Sequence, residues 1–281
     1  MSTLPVAVAQ LSAGADPEEN ARMAVTAIAD AAADGAQLVV LPEYTAGWAP
    51  RLSLELAQPA DGPFLRAVAD AARDAGVHVV VGTIETGTVA SGPTAAAGRA
   101  LNVAVAIGPD GRVLGRYVKV HLFDAFGVRE SDVLAPGEPE PQNTLVLDVG
   151  GFRVGIATCY DLRFPESFRV LADAGADVLV VIAAWAAGDG KVAQLQTLAR
   201  ARALENTSYL LLASQSGPGR SGHSAIIDPL GAPVAEADAA ATVTLHGDLD
   251  SAVVSGVRDA VPSLRHRRYR VVPAGAATLD P

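Results

Sequence analysis

Three polar residues interrupt apolar, strand-like stretches of the sequence. Glu43 ends the run Leu38-Val39-Val40-Leu41-Pro42, Lys119 sits between Val118 and Val120, and Cys159 closes Val154-Gly155-Ile156-Ala157-Thr158. Each alone has a plain explanation: an exposed loop acid, a lysine whose stem is buried, a thiol serving as a small hydrophobe. Together they are the parts of an acyl-transfer centre. A sulfur attacks, a carboxylate takes its proton, and a fixed cation holds the oxyanion that develops. Two unit charges about 4 Å apart interact by roughly 4 kcal/mol at an effective dielectric near 20. An ammonium beside the sulfur is therefore expected to enrich the thiolate over the free thiol, whose pKa is about 8.5.

The lysine carries a second signal. Of 21 basic residues only two, Lys119 and Lys191, are lysines. In a chain so biased to arginine, a lysine marks a place where a compact ammonium fits and a planar guanidinium does not, unless it survives by chance.

These residues need a scaffold that aims them at one point. Residues 4–10 read as a first strand, and Asp16-Pro17-Glu18-Glu19 supplies an N-cap, a first-turn proline and first-turn acids for a helix reaching about residue 34, stopped by Gly35. Residues 37–41 form the next strand; a helix over 63–75, closed by Gly76, precedes a strand over 77–84. The Ser/Gly/Ala-rich stretch 86–98 is a loop. Hairpins follow, 102–107 with 113–118 around Pro109-Asp110-Gly111, and 144–149 with 152–158 around Gly150-Gly151. Then come a helix from about 165, a strand over 177–182, a helix over 190–206, a strand over 208–214 and a turn at Asp228-Pro229-Leu230-Gly231. The pattern describes one α/β domain of mixed sheet with helices outside, either two sheets face to face or one doubly wound sheet. A cysteine at a strand's carboxyl end points into the crevice where such folds bind ligands.

Composition narrows the class. The chain of 281 residues is half apolar and 19% charged, with a formal charge of −10, which disfavours polyanionic partners such as nucleic acid. The basic cluster Arg265-His266-Arg267-Arg268 reads as a short packed or solvated segment. No stretch is apolar and long enough to span a bilayer, no signal-peptide pattern opens the chain, and one cysteine excludes an intrachain disulfide; the expectation is a cytoplasmic protein without membrane partners. His78, His121, His223, His246 and His266 are scattered without metal-ligand spacing, so no metal is expected. His78 reads as a packing residue, and His121 and His223 as groups behind the pocket. His223-Ser224 lacks the glycines of a hydrolase elbow, and Gly217-Pro218-Gly219 lacks the context of a nucleotide site.

The order Leu41-Pro42-Glu43-Tyr44, Lys119-Val120-His121-Leu122-Phe123 and Cys159-Tyr160-Asp161-Leu162-Arg163-Phe164-Pro165-Glu166 resembles the nitrilase superfamily of carbon–nitrogen hydrolases. So do Arg200-Ala201-Arg202-Ala203-Leu204-Glu205-Asn206, the block from Gly222 to Pro229 and that from Pro262 to Arg268. The resemblance implies a four-layer α-β-β-α sandwich over residues 1–270 with a tail at 271–281, no cofactor, and a homodimer or larger homo-oligomer. It implies that Glu43 is the general base, Lys119 the oxyanion cation and Cys159 the nucleophile, with the Tyr160 N–H sharing the oxyanion. Glu130 falls where similar proteins orient the lysine and substrate; otherwise it is a solvated loop acid. Tyr160-Asp161 after the cysteine is similar to the amidase-like branch, whereas true nitrilases usually carry Trp-Glu. The implied reaction is hydrolysis of a small primary amide (ω-amidase-like) through a thioester, releasing ammonia. The alternatives are an N-carbamoyl amine or amino-acid hydrolase, a nitrilase, and a non-catalytic binding protein. Tyr44, Trp48, His121 and Trp185 are candidate pocket walls or ordinary packing residues. Arg163 meets either a substrate carboxylate or Asp161 or Glu166. Gln194-Leu195 replaces the His-Trp pair of similar amidases, which leaves the acyl preference open.

Overall fold

The computed structural model describes residues 2–87, 98–139, 141–239 and 242–274. Ten residues of the loop expected at 86–98, and the end of the expected tail, lie outside the described residues. Along the chain run β1 (Thr3–Gln10), α1 (Pro17–Ala33), β2 (Leu38–Val40), α2 (Pro63–Ala75), β3 (His78–Thr86), β4 (Ala100–Ile107), β5 (Val113–Val118), β6 (Leu134–Ala135), β7 (Val146–Val149) and β8 (Phe152–Thr158). Then follow α3 (Pro165–Asp173), β9 (Val178–Ala183), α4 (Lys191–Asn206), β10 (Tyr209–Ser214), β11 (Ala225–Ile227), β12 (Pro233–Glu236), β13 (Val243–Asp250) and α5 (Ser251–Ala260).

Local chemistry sets the helix ends. The Asp16 side chain accepts the Glu18 and Glu19 N–H groups at the start of α1, and α2 stops at Gly76 in the left-handed conformation, φ 67°. The strands form two sheets, ordered β13-β1-β2-β3-β4-β5, with β6 on β4, and β12-β11-β10-β9-β8-β7. Two faces are buried on each central strand, and the side chains alternate between them. Val6, Val8, Leu38, Val40 and Val80 meet Val154, Ile156, Val178, Val180 and Ile182 between the sheets. Ala7, Ala9, Val39, Val79 and Val81 pack instead under α1 and α2, and Leu179, Val181, Leu210 and Leu212 under α3 and α4. The layers are thus helix, sheet, sheet, helix. Between the two expected arrangements, the double sheet is the one adopted.

Three elements had no counterpart in the sequence reading: the two-residue β6, β13 and α5. β13 pairs antiparallel with the whole of β1, Thr3 opposite Asp250 through Gln10 opposite Val243. Its residues are mostly half-exposed, so the period-two signal of Val243, Leu245 and Leu249 is interrupted by His246 and Gly247. α5 then starts on the Asp250 side chain, which accepts the Ala252 N–H. In the Arg265–Arg268 cluster, Arg267 pairs with Asp173 and donates to the Leu264 carbonyl. Among the described residues no helix is long and apolar enough to cross a membrane.

Candidate active site

The parallel strands β2, β8 and β9 all deliver their carboxyl ends to the same edge of the sandwich. Glu43 follows β2, Lys119 follows β5, Cys159 follows β8 and Ala184 follows β9. A parallel bridge between Leu11 and Gln215 ties the two sheets together beside this edge, and the Gln215 amide donates to the Glu43 carbonyl at 3.0 Å. Close backbone approach fixes the Glu43 turn further: a Cβ on Gly82 would lie 2.5 Å from the Glu43 Cα, so only glycine fits there. Tyr44 and Cys159 both have positive φ, 58° and 46°, a conformation that costs non-glycine residues of order 1–3 kcal/mol and persists where the surroundings hold it.

Lys119 is fully buried, and its ammonium donates to Glu43 Oε1 at 3.0 Å and to Glu130 Oε2 and Oε1 at 2.9 and 3.1 Å. Each carboxylate has further donors. The Asn102 amide and the Ala184 N–H reach Glu43 at 2.7 Å each; the Tyr44 hydroxyl and the Phe123 N–H reach Glu130 at 2.8 and 2.7 Å. Glu130 is buried in a short 3-10 turn, not a solvated loop acid. Burial opposes the Lys119 charge, but Glu130 and Glu43 outweigh it and hold the ammonium well above its ordinary pKa. Burial pushes the Glu43 carboxyl up despite the opposing pull of Lys119.

The Cys159 sulfur faces the charges of Glu43, Lys119 and Glu130 and the Ala184 N–H. Here one expectation is corrected. Burial first, then the repulsion of Glu43, drives the thiol well above its ordinary pKa, and the attraction of Lys119 does not compensate. The resting group is a protonated thiol beside a carboxylate of raised basicity. Glu43 is the carboxylate placed to receive the sulfur's proton.

The turn carrying Cys159 is anchored through Asp161. Its carboxylate is buried and accepts the Thr158 N–H at 2.9 Å, the Tyr117 hydroxyl at 2.8 Å and the His121 N–H at 3.3 Å, with His121 Nδ1 at 2.7 Å. His121 also stacks on Phe164, 3.7 Å between ring centres, and lines a separate cavity of about 390 Å³. The Tyr160 N–H lies in the first turn of a short 3-10 helix, Cys159–Arg163, where helix geometry provides no internal partner.

A narrow cavity of about 40 Å³ opens over the sulfur, bounded by Glu43, Glu130, Tyr160, Arg163, Trp185 and Lys191, with Phe123, Ala184 and Ala186 completing it. Of the aromatic candidates, Trp185 lines it. Tyr44 lies behind Glu130, Trp48 is covered by the Arg220 guanidinium at 3.8 Å, and His121 is turned to the Asp161 side. His223 is also outside the lining, its N–H donating to the Asp238 carbonyl. Arg163 lines the cavity but pairs with neither Asp161 nor Glu166. Its Nη2 donates to Gln194 Oε1 at 2.6 Å, which places the unusual glutamine directly behind the pocket wall. The sequence reading missed Asn102 as a Glu43 partner, although a lone amide in the apolar run 100–107 was a signal for it. Among the described residues no group of His, Cys, Asp or Glu is placed to hold a metal ion.

Comparison with known proteins agrees with this geometry. The carbon–nitrogen hydrolase family matches residues 5–259. A Mycobacterium tuberculosis hydrolase is 38% identical over 281 residues, covering 93% of this chain and 95% of its own. The deaminated glutathione amidase of Escherichia coli O157:H7 is 37% identical over 94% of this chain and 97% of its own. An amidase from Nesterenkonia superposes with a TM-score of 0.76 at 29% identity, covering 95% of this chain and 94% of its own; a variant of that enzyme carries the acetamide moiety of fluoroacetamide covalently on its active-site cysteine.

Proposed function

This chain belongs to the carbon–nitrogen hydrolase family and is an amidase-like hydrolase, and we propose that it opens small primary amides through a thioester on Cys159. The observation that carries the reading is the shared burial of Glu43, Lys119 and Glu130 as one hydrogen-bonded cluster on the cavity that holds the Cys159 sulfur.

Glu43 accepts the thiol proton as the sulfur adds to the amide carbonyl carbon. The Lys119 ammonium and the Tyr160 N–H stabilise the oxyanion, where preorganised donors act most strongly in a water-poor site. Collapse of the tetrahedral adduct breaks the carbon–nitrogen bond, and the proton held by Glu43 leaves with ammonia. Water then gives a proton to Glu43 and adds to the thioester carbonyl; carboxylic acid departs and the sulfur recovers its proton. Glu130 touches Lys119, not the reacting atoms, and positions the ammonium. A raised Glu43 pKa suits both halves, because the same group must take and return protons near neutral pH.

Residues 1–270 form the catalytic domain in this reading, with residues 271–281 as a tail. A single cysteine suits a reducing cytoplasm, and the resemblance to the superfamily supports a homodimer or larger homo-oligomer. The test is an ammonia-release screen over primary amides, N-carbamoyl compounds and nitriles, run beside Cys159→Ala. Amide turnover that vanishes in the variant supports the reading. Carbon dioxide released along with ammonia reassigns the protein to carbamoyl hydrolysis, and nitrile turnover without amide turnover overturns the proposal.

A further inference from the structure

The donors that meet Glu43 are shared unevenly between its two oxygens. Oε1 accepts the Lys119 ammonium at 3.0 Å and the Asn102 amide at 2.7 Å. Among the described residues Oε2 accepts the Ala184 N–H alone, at 2.7 Å. Each carboxylate oxygen has two acceptor sites, so Oε1 is filled and Oε2 keeps one open. The Ala184 N–H that holds Oε2 also faces the Cys159 sulfur, which sets the open site on the sulfur's side.

Asn102 creates this asymmetry. It is wholly buried on β4, on the face that Ala104 and Ala106 turn to the core between the sheets. An ionised carboxylate only accepts, so the amide must present its nitrogen to Glu43. Its backbone carbonyl accepts the Lys119 N–H at 2.9 Å, so one residue touches both the acid and the chain that carries the ammonium. Packing does not account for an amide here. Among the described residues its Oδ1 has no hydrogen-bond partner, and a buried acceptor left unpaired costs stability that an apolar side chain would not.

Building on the amidase reading, we propose that Asn102 is a positioning residue of the hydrolysis: by occupying Glu43 Oε1 it turns Oε2 to the sulfur and makes that oxygen the one that takes and returns the proton. Asn102 does not line the cavity, so it acts through Glu43. The same hydrogen bond favours the ionised carboxylate. Burial raises the Glu43 pKa first of all, Lys119 opposes it and Glu130 adds to it, while the Tyr44 hydroxyl and the Cys159 thiol also face the group. Against that background the amide adds to the pull of Lys119 without adding a charge. With the amide gone, Oε1 regains an open site, the carboxyl is no longer held in one orientation, and it ionises at higher pH.

The test measures kcat and KM against pH in wild type, Asn102→Ala and Asn102→Asp, for the amide turned over fastest in the ammonia-release screen. Asn102→Ala removes the donor; Asn102→Asp keeps the shape but sets another carboxylate against Glu43. In both, kcat should fall at least about tenfold at neutral pH while KM changes less than about threefold. The acid limb of kcat should move to higher pH, and further in Asn102→Asp than in Asn102→Ala. A loss of kcat with an unmoved acid limb is the mark of a merely structural residue and overturns the proposal, as does an unchanged kcat. Should Asn102→Ala fail to fold, Asn102→Asp, of the same volume, decides. Should no amide be turned over, the amidase reading fails separately, and infrared titration of the carboxyl groups, with Glu43→Gln as the blank, decides whether Asn102 governs Glu43. Glu43 should then take up its proton at higher pH in Asn102→Ala than in wild type; an unmoved titration overturns the inference.

Discussion

The only two lysines of the chain occupy opposite electrostatic situations, Lys119 bonded to the acids of the cavity and Lys191 on its wall. Lys119 is wholly buried and touches two carboxylates, which hold its pKa up. Lys191 lies on the cavity wall, only 9% exposed, its ammonium against the Phe126 and Phe123 rings, and has its pKa pulled down by burial and by Arg163. An ammonium can be taken fully out of water only where fixed acids replace the lost solvation. An unpaired one, as at Lys191, leans on aromatic faces and has its pKa lowered. The inner lysine is thus held by charge, whereas the outer one is held only by aromatic faces.

The two regions separate by experiment, most strongly at the inner cluster. Cys159→Ala, at the heart of the inner cluster, should reduce ammonia release by at least about 10⁴-fold with an unchanged circular dichroism spectrum. Retained turnover would place the chemistry elsewhere. Glu43→Gln should lower kcat by about 10²–10⁴-fold. It should also shift the pH midpoint of iodoacetamide labelling downwards, because one negative charge facing the sulfur is removed.

Lys119→Met should lower stability by about 3–5 kcal/mol, because Glu43 and Glu130 lose a buried counter-charge. The shift would be read as a lower urea midpoint at constant slope. Lys191→Met, by contrast, should move stability by no more than about 1 kcal/mol, since it loses only the aromatic contacts of an ammonium that has no counter-charge. Equal losses at the two positions would erase the distinction between them.

The pH dependence follows from Glu43, which must be ionised to accept the thiol proton. Its pKa is raised, so kcat/KM should fall as pH drops through a midpoint above the ordinary carboxylate value of about 4.3. An acid limb at or below that value would contradict the buried placement of this carboxylate. Thiolate formation, measured by the absorbance of the sulfur anion, should have its midpoint above that of free cysteine.

The site shows where a sequence is informative. Glu43, Lys119 and Cys159 were legible because each breaks a strongly apolar strand pattern, and a polar group in such a run must be satisfied or used. α2 was legible to the residue, since Pro63 opens it and Gly76 closes it by purely local geometry. Glu130 was not distinguished by its neighbours: Asp124 and Asp132 share the same polar segment and stay at the surface. Of the two alternatives for Arg163, the ion pair with Asp161 or Glu166 does not form, for a related reason. Asp161 and Glu166 are near in sequence, but Asp161 is consumed by Tyr117, His121 and the Thr158 N–H, and Gln194 arrives from α4.

By itself, the sequence determined the helix ends, the alternation of buried strands and the three residue types needed for acyl transfer. These follow from backbone conformation, hydrophobic period and intrinsic chemistry, all of which act within a few residues. The tertiary structure decided between the two sheet arrangements that the pattern allowed, added β13 to the first sheet, and buried Glu130 and Glu43 against Lys119. It also decided that burial drives the Cys159 pKa up, against the local expectation of a lowered one. Protonation, pairing and burial are sums over neighbours brought from distant parts of the chain, and the balance of burial against charge exists only once those neighbours are in place.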